Sequence, residues 1–319
     1  MPFKSSLVRS AGKLFGVFTQ RDLDLRGVVQ TSRLPPFEAT GGAQKLTPGD
    51  GYTYHFFTSN DNLVATGSPG NVEYIIIGGG GAGCGQPGGN NHGGGGAGAG
   101  GVRTGSITVS AGTNPVVVGA TKAAPLDAYA GALGNPSVAF GITVQGGGSG
   151  GGHLQAFVES NGGSGGGSPD YDEPEVGLGD RVTGTTDPAP DQGNDGGQGG
   201  HNASGGGGGA GGVGGNAEPP NTGGKGGLGI AFPGWTLPPS YGTPGPSGPL
   251  RYFAGGGGGG GNGSGGAAPD AGGGGAGANS ADAGQGIVNT GGGGGSVAGD
   301  GERDGGDGGS GIVICRYTV

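Results

Sequence analysis

Gly78, Gly80 and Gly83 stand at G-x-G-x-x-G spacing directly after the apolar run VEYIII (72–77). Such a turn can hold a dinucleotide pyrophosphate, provided it leads into a helix whose N-terminal N–H groups face the phosphates. After Gly83 the chain reads CGQPGGNNHGGGG, which is no helix, and Arg103 stands near the place where an acidic ribose ligand belongs. The spacing is assigned to glycine density, and no cofactor is expected. In GGKGG (223–227), Gly226 occupies the position where a phosphate loop needs Ser or Thr. His55, His92, His153 and His201 lack the paired spacing of a zinc site; His55 is expected in a strand and the other three in loops. In DGERDGGDGG (300–309), Asp300, Glu302 and Asp304 alternate like the first half of a calcium loop. The closing bidentate Glu is missing, because position twelve is Gly311. The acidic insert carrying Asp170, Asp172, Glu173, Glu175, Asp180, Asp187 and Asp191 reads as a solvated negative surface. With no Ser-His-Asp, Cys-His or placed carboxylate pair, no catalytic residue and no metal site are assigned, and the chain is not expected to be an enzyme.

The remaining chemistry is recognition. IAFPGWTLPPSYGTPGPSGPLRYF (230–253) contains Trp235, the only tryptophan, with Phe232, Tyr241, Tyr252 and Phe253. Aromatic rings stack on sugars and fill partner pockets. The competing reading is local packing, since a Pro-rich loop needs an apolar anchor of its own. Phe232, Trp235, Tyr241 and Tyr252 are the candidate recognition residues. A second apolar set, Leu7, Leu14, Phe15 and Phe18, recurs at helical spacing in the basic N-terminal stretch and is a candidate anchor onto another protein.

These residues must be positioned by an unusual chain. Gly supplies 96 of 319 residues, against a usual share of about 7%. The glycines come in blocks such as GGGG (93–96) and GGGGGGG (255–261), without the every-third-residue repeat of collagen. Residues 1–33 carry six Lys or Arg and two Asp, so that of the total charge of −9 the remaining chain holds −13. An acidic body disfavours nucleic acid. No apolar stretch reaches the roughly 18 residues of a membrane span. Two cysteines, Cys84 and Cys315, make no disulfide framework and are expected to be reduced.

Strands are predicted at YTYHFFT (52–58), NLVAT (62–66), VEYIII (72–77), SITVS (106–110), PVVVG (115–119), SVAFGITV (137–144) and GIVICRYTV (311–319). The last is expected to return and pair with 72–77, both being continuously apolar. Within the glycine blocks one ordered solution exists. Polyglycine can adopt the left-handed three-residue helix, whose N–H and C=O groups point outward. If buried they must find partners in neighbouring helices. The predicted fold is mainly β plus irregular, with an antiparallel β part closed by the C-terminal strand, joined to a layered polyglycine-II sandwich with surface loops and no substantial α-structure. Four segments follow: 1–36 as an attachment segment, 37–145 as the β-rich part with the first glycine block, 146–310 as glycine helices with loop inserts, and 311–319 as the returning strand.

The order GYTYHFFT, VEYIIIGGGGAG, GGGGAGAGGVRTGSITVSAGTNPVVVGA, FAGGGGGGG and GGSGIVICRY resembles the glycine-rich domain of bacteriophage tail-fibre and adhesin-like virion proteins, from about residue 41 to 319. MPFKSSLVRSAGKLFGVFTQRDLDLRG is similar to the N-termini of cyanophage virion proteins. The resemblance implies a structural virion protein, assembled in the host cytoplasm, held to other virion proteins by its N-terminal segment. Its loops would meet a host-surface glycan or protein, with a homo-oligomer as a possible state. The long inserts at 168–191 and 230–253, and 121–136 in place of a tighter turn, depart from the plainest form of the domain, so no ligand is carried over. Alternative readings are a capsid, baseplate or decoration component without receptor binding and, more remotely, an ice-binding polyglycine bundle.

Overall fold

In the computed structural model, residues 34–87, 93–125, 130–152, 161–170 and 192–319 are described. Among them the regular elements are all strands. They are β1 (Glu38–Thr40), β2 (Gln44–Leu46), β3 (Tyr52–Phe57), β4 (Asp61–Thr66), β5 (Gly70–Ile77), β6 (Gln86–Pro87), β7 (Val102–Val109), β8 (Gly112–Val117), β9 (Ser137–Ala139) and β10 (Ile142–Val144), followed by β11 (Ile230–Ala231), β12 (Tyr252–Phe253), β13 (Ala278–Asn279), β14 (Val297–Ala298), β15 (Glu302–Arg303) and β16 (Ile312–Thr318). Phe37–Val319 forms one compact unit.

Two antiparallel five-stranded sheets carry the β part. One has the order β2-β3-β16-β5-β7 and the other β1-β4-β8-β9-β10. The C-terminal strand lies where its apolar run predicts, beside β5, with Ile314 opposite Ile75. Its other edge is taken by β3, with Cys315 opposite His55. Neither sheet closes into a barrel.

Side chains alternate across a strand, and here both faces of the first sheet are covered. Phe57, Val72, Tyr74, Ile76, Val313, Cys315 and Tyr317 face the second sheet and meet Ala39, Leu63, Ala65, Val116, Ala139 and Val144. Tyr54, Phe56, Ile75, Ile77, Ile312 and Ile314 face the other way, onto Ala99 and the insert rings Phe232, Tyr241 and Phe253. Burial on both sides is why 72–77 and 312–315 read as continuous apolar runs.

The segment 137–144 is two strands, not one. Phe140 (φ 55°) and Gly141 (φ 75°) take the left-handed turn conformation that matches hairpin twist, folding β9 onto β10. A bulky Phe at such a position hid the turn from the sequence pattern.

The glycine blocks hydrogen-bond with a period of three. In 93–101, the N–H groups of Gly94, Ala97 and Gly100 go to Val297, Gly294 and Gly291. Those of Gly95, Gly98 and Gly101 go to Gly151, Gly148 and Gln145, and those of Gly96 and Ala99 to Gly205 and Gly208. The same segment accepts from Gly78 and Gly81, from Ser164 and Gly167, and from Gly257 and Gly260. It therefore has six neighbours, three by donation and three by acceptance, all at 2.8–3.0 Å. This is the pattern of a left-handed three-residue helix at the centre of a hexagonal array.

Glycine is required there for closeness rather than for unusual dihedrals. None of the glycines in 93–101 has a positive φ. A Cβ on Gly95 would overlap the carbonyl oxygen of Gly167, one on Gly96 that of Gly257, and one on Gly98 that of Ser164. Every buried N–H needs a partner, and only chains without side chains approach closely enough on all sides to supply one.

Candidate functional site

The insert at 230–253 leaves the glycine body as β11 and returns as β12, with Ile230 opposite Phe253 and Ala231 opposite Tyr252. Thr243 and Tyr252 exchange backbone hydrogen bonds at 2.9 Å in both directions. Arg251 ties the middle of the loop, its guanidinium donating to the carbonyl oxygens of Tyr241, Pro239 and Gly242.

The candidate recognition residues are the foundations of this loop. Phe232, Tyr241 and Tyr252 are buried, at 7%, 8% and 6% exposure. Tyr241 stacks on Phe56 with ring centroids 4.6 Å apart and an interplanar angle of 4°. Phe232 packs at 5.9 Å against Phe253. Trp235 is half-buried and meets the edge of Tyr54 at 5.9 Å. What the insert exposes is its proline-rich crown, including Pro233, Pro239, Ser240, Pro244, Pro246 and Pro249.

Arg316 is the clasp that holds Trp235. Its guanidinium carbon lies 4.0 Å from the Tyr52 ring centroid and 4.2 Å from that of Trp235, so the cation is sandwiched between two aromatic faces. Nε and Nη2 both donate to Oε2 of Glu73, at 2.8 and 2.7 Å. Nη1 donates to the Tyr54 hydroxyl at 3.1 Å and to the Gly234 carbonyl. Burial opposes the Arg316 charge, but the Tyr54 and Glu73 contacts outweigh it and raise its pKa. Tyr54 in turn donates to Asp50 Oδ2 at 2.6 Å, which also accepts from Thr236 Oγ1 at 2.7 Å.

Sequence reasoning passed over this cluster. The signal was present: Arg316 and Glu73 are lone charges in the two most apolar strands, and a charge drawn into such a sheet needs a partner.

The other motifs are absorbed by the scaffold. The N–H groups of Gly78, Gly80 and Gly83 donate to Gly101, Gly309 and Gly306, so their hydrogen bonds are spent within the glycine body. Lys225 of GGKGG forms an exposed ion pair with Asp270 at 2.6 Å. In the acidic loop, Glu302 and Arg303 form β15 against β6, and Asp307 Oδ1 accepts the Ala124 N–H. Among the described residues no group of three His, Cys, Asp or Glu converges as a metal site would.

Cys84 sits in the glycine body, Cys315 in the sandwich core, and both are free thiols. His55 lies in β3 with Nδ1 bonded to the Gly41 carbonyl at 2.8 Å, and His201 is exposed in a turn. His92, His153, the acidic residues 172–191 and the anchor candidates Leu7, Leu14, Phe15 and Phe18 lie outside the described residues.

Over residues 58–318 the chain matches the family model described as a glycine-rich domain. No curated protein matches it.

Proposed function

The chain belongs to the glycine-rich domain family, and from that premise we propose that it is a virion appendage protein that displays rigid loops for host-surface recognition. The observation that carries this reading is the Arg316–Trp235 clasp. The insert's rings and the buried arginine of β16 fix its base, and a proline-rich crown is left exposed. Proline restricts φ, and the aromatic base fixes both ends, so little conformational entropy would be lost when the crown meets a partner. The glycine body serves as the support. Its polar groups are satisfied by one another, which leaves the loops to vary without disturbing it.

The origin in a phage rests on the resemblance of the opening and closing strand motifs, and cyanobacteria as hosts on that of residues 1–27. In this reading residues 1–36 attach the protein to other virion components.

The test is binding of the fluorescently labelled full chain to a panel of cyanobacterial strains. Binding to some strains, abolished by the exposed double substitution Ser240→Arg with Pro246→Asp at unchanged thermal stability, supports display by the crown. A chain that binds no strain reduces the function to scaffolding within the particle.

A further inference from the structure

A groove of about 310 Å³ opens where the edge strand β7 overhangs the glycine body beside the base of the insert, lined among others by Thr104, Gln192, Asn194, Ala210, Ile230 and Phe232. Thr104 belongs to the sheet face that meets the glycine body, since it pairs with Ile75 in β5.

We infer that this groove is a binding subsite for a neutral saccharide. The inference rests on the recognition reading above and names the ligand class for one part of it. Its walls divide into two kinds. Ala210, Ile230 and Phe232 give an apolar side suited to the C–H face of a sugar ring. Thr104, Gln192 and Asn194 give hydroxyl and amide groups.

The two amides have fixed orientations. Gln192, only 5% exposed, accepts the Gln145 N–H on Oε1 at 2.9 Å, so the remaining end of its amide is an NH₂ donor. Asn194 donates from Nδ2 to the Gly209 carbonyl at 2.7 Å, so its remaining end is an acceptor. One donor and one acceptor at the same wall suit hydroxyl groups, which both give and accept hydrogen bonds.

The lining residues contain no ionisable side chain. A phosphate, sulfate or carboxylate would enter without a cation to meet it, in a protein of net charge −9. The volume lies at the small end of the range of roughly 300–1,000 Å³ for ligand pockets, which fits a short saccharide segment rather than a folded peptide.

The experiment is saturation-transfer NMR of the full chain with neutral di- and trisaccharides of glucose, galactose and mannose, and with their sulfated and uronic-acid counterparts. Two variants accompany it: Thr104→Arg, which fills the groove from an exposed strand position, and Thr104→Val, which keeps shape and removes the hydroxyl. The expected result is transfer to at least one neutral saccharide, a loss of affinity of tenfold or more in each variant with unchanged melting temperature, and no transfer to the anionic series. Neutral binding that survives Thr104→Arg, a preference for the anionic series, or no saccharide binding at all overturns the subsite. If saccharide binding is absent while the labelled chain still binds cells, the subsite alone fails; if cell binding is absent too, the recognition reading fails with it.

Discussion

Arg316 and Glu73 stand opposite each other on β16 and β5, and both Nε and Nη2 of the arginine reach one carboxylate oxygen of the glutamate. This pair joins the last strand of the chain to an early one. It also aims the guanidinium so that its face lies against Trp235. The sheet and the insert are thus coupled through one cation.

That coupling predicts the behaviour of Arg316→Lys. Lysine keeps the charge but has neither the planar fork nor the flat face. A loss of about 1.5–3 kcal/mol is expected, the usual worth of hydrogen bonds to charged groups. Because Trp235 is the only tryptophan, its emission reports the clasp directly. The variant should show a red-shifted, more quenchable indole at pH 7, while far-ultraviolet circular dichroism stays unchanged.

The glycine body predicts two opposite responses to the same substitution. A Cβ at Gly95 meets the Gly167 carbonyl oxygen, so Gly95→Ala should cost about 3 kcal/mol or more, at the top of the usual overpacking range of ~1–3 kcal/mol. A Cβ at Gly200 meets only the Ala217 methyl at 3.8 Å. Gly200→Ala should be neutral or stabilising by ~0.4–1 kcal/mol through the unfolded state. Urea unfolding of the two variants separates them.

These contrasts also mark how far the sequence could be read. The strands at 52–57, 72–77 and 312–318 were legible because apolar residues had no other use in so polar a chain, and the pairing of the last two followed from their shared character. The three-residue helices were legible as a class, since glycine blocks with buried backbone leave few other solutions. Which blocks adjoin was not legible, because identical glycines carry no register. The contacts of Ala97 with Gly294 and Gly257 are set by loop lengths and by the sheet at one side. The short strands 38–40 and 44–46 lack a pattern long enough to register and form by pairing with β4 and β3. The insert rings were found, but their duty as foundations depends on Phe56 and Arg316, distant residues that only the fold brings beneath them.

Two buried groups predict a pH profile. Burial raises the Asp170 pKa to about 7, against an opposing contribution from the Gly93 backbone. The folded state then holds its proton more tightly than the unfolded state. Stability contributed by this group is full below the ordinary carboxylate pKa and is lost as pH rises towards 7, by roughly 4 kcal/mol in all. Asp170→Asn should remove that loss, raising the pH 8 melting temperature with little change at pH 4. His55 acts in the other direction. Burial lowers its pKa, the Gly41 carbonyl opposes that, and Lys45 adds to it. Its contribution is full above pH 6.5 and falls as pH drops below that value. Thermal melts of the Asp170→Asn chain from pH 4 to 8 should therefore show only the acid-side decline.

The thiols should be silent until the protein opens. Burial pushes Cys84 and Cys315 up to about 12, and the thiolate is the reactive form. Iodoacetamide at pH 8 should label neither cysteine in the native chain and both in 6 M guanidinium, as read by intact mass. Rapid native labelling of Cys84 would mean that the glycine body opens locally.

The glycine blocks form a hydrogen-bonded, close-packed array that supports the loops, and amide hydrogen exchange reads that array residue by residue. The N–H groups of Gly94 through Gly101 are all donated to neighbouring helices. NMR-detected exchange of the full chain at pH 7 should find every amide in 94–101 protected by at least a thousandfold, comparable to the β16 amides. Exchange of these glycines at the rate of an unfolded chain, with β16 still protected, would mean that the glycine blocks form no such array.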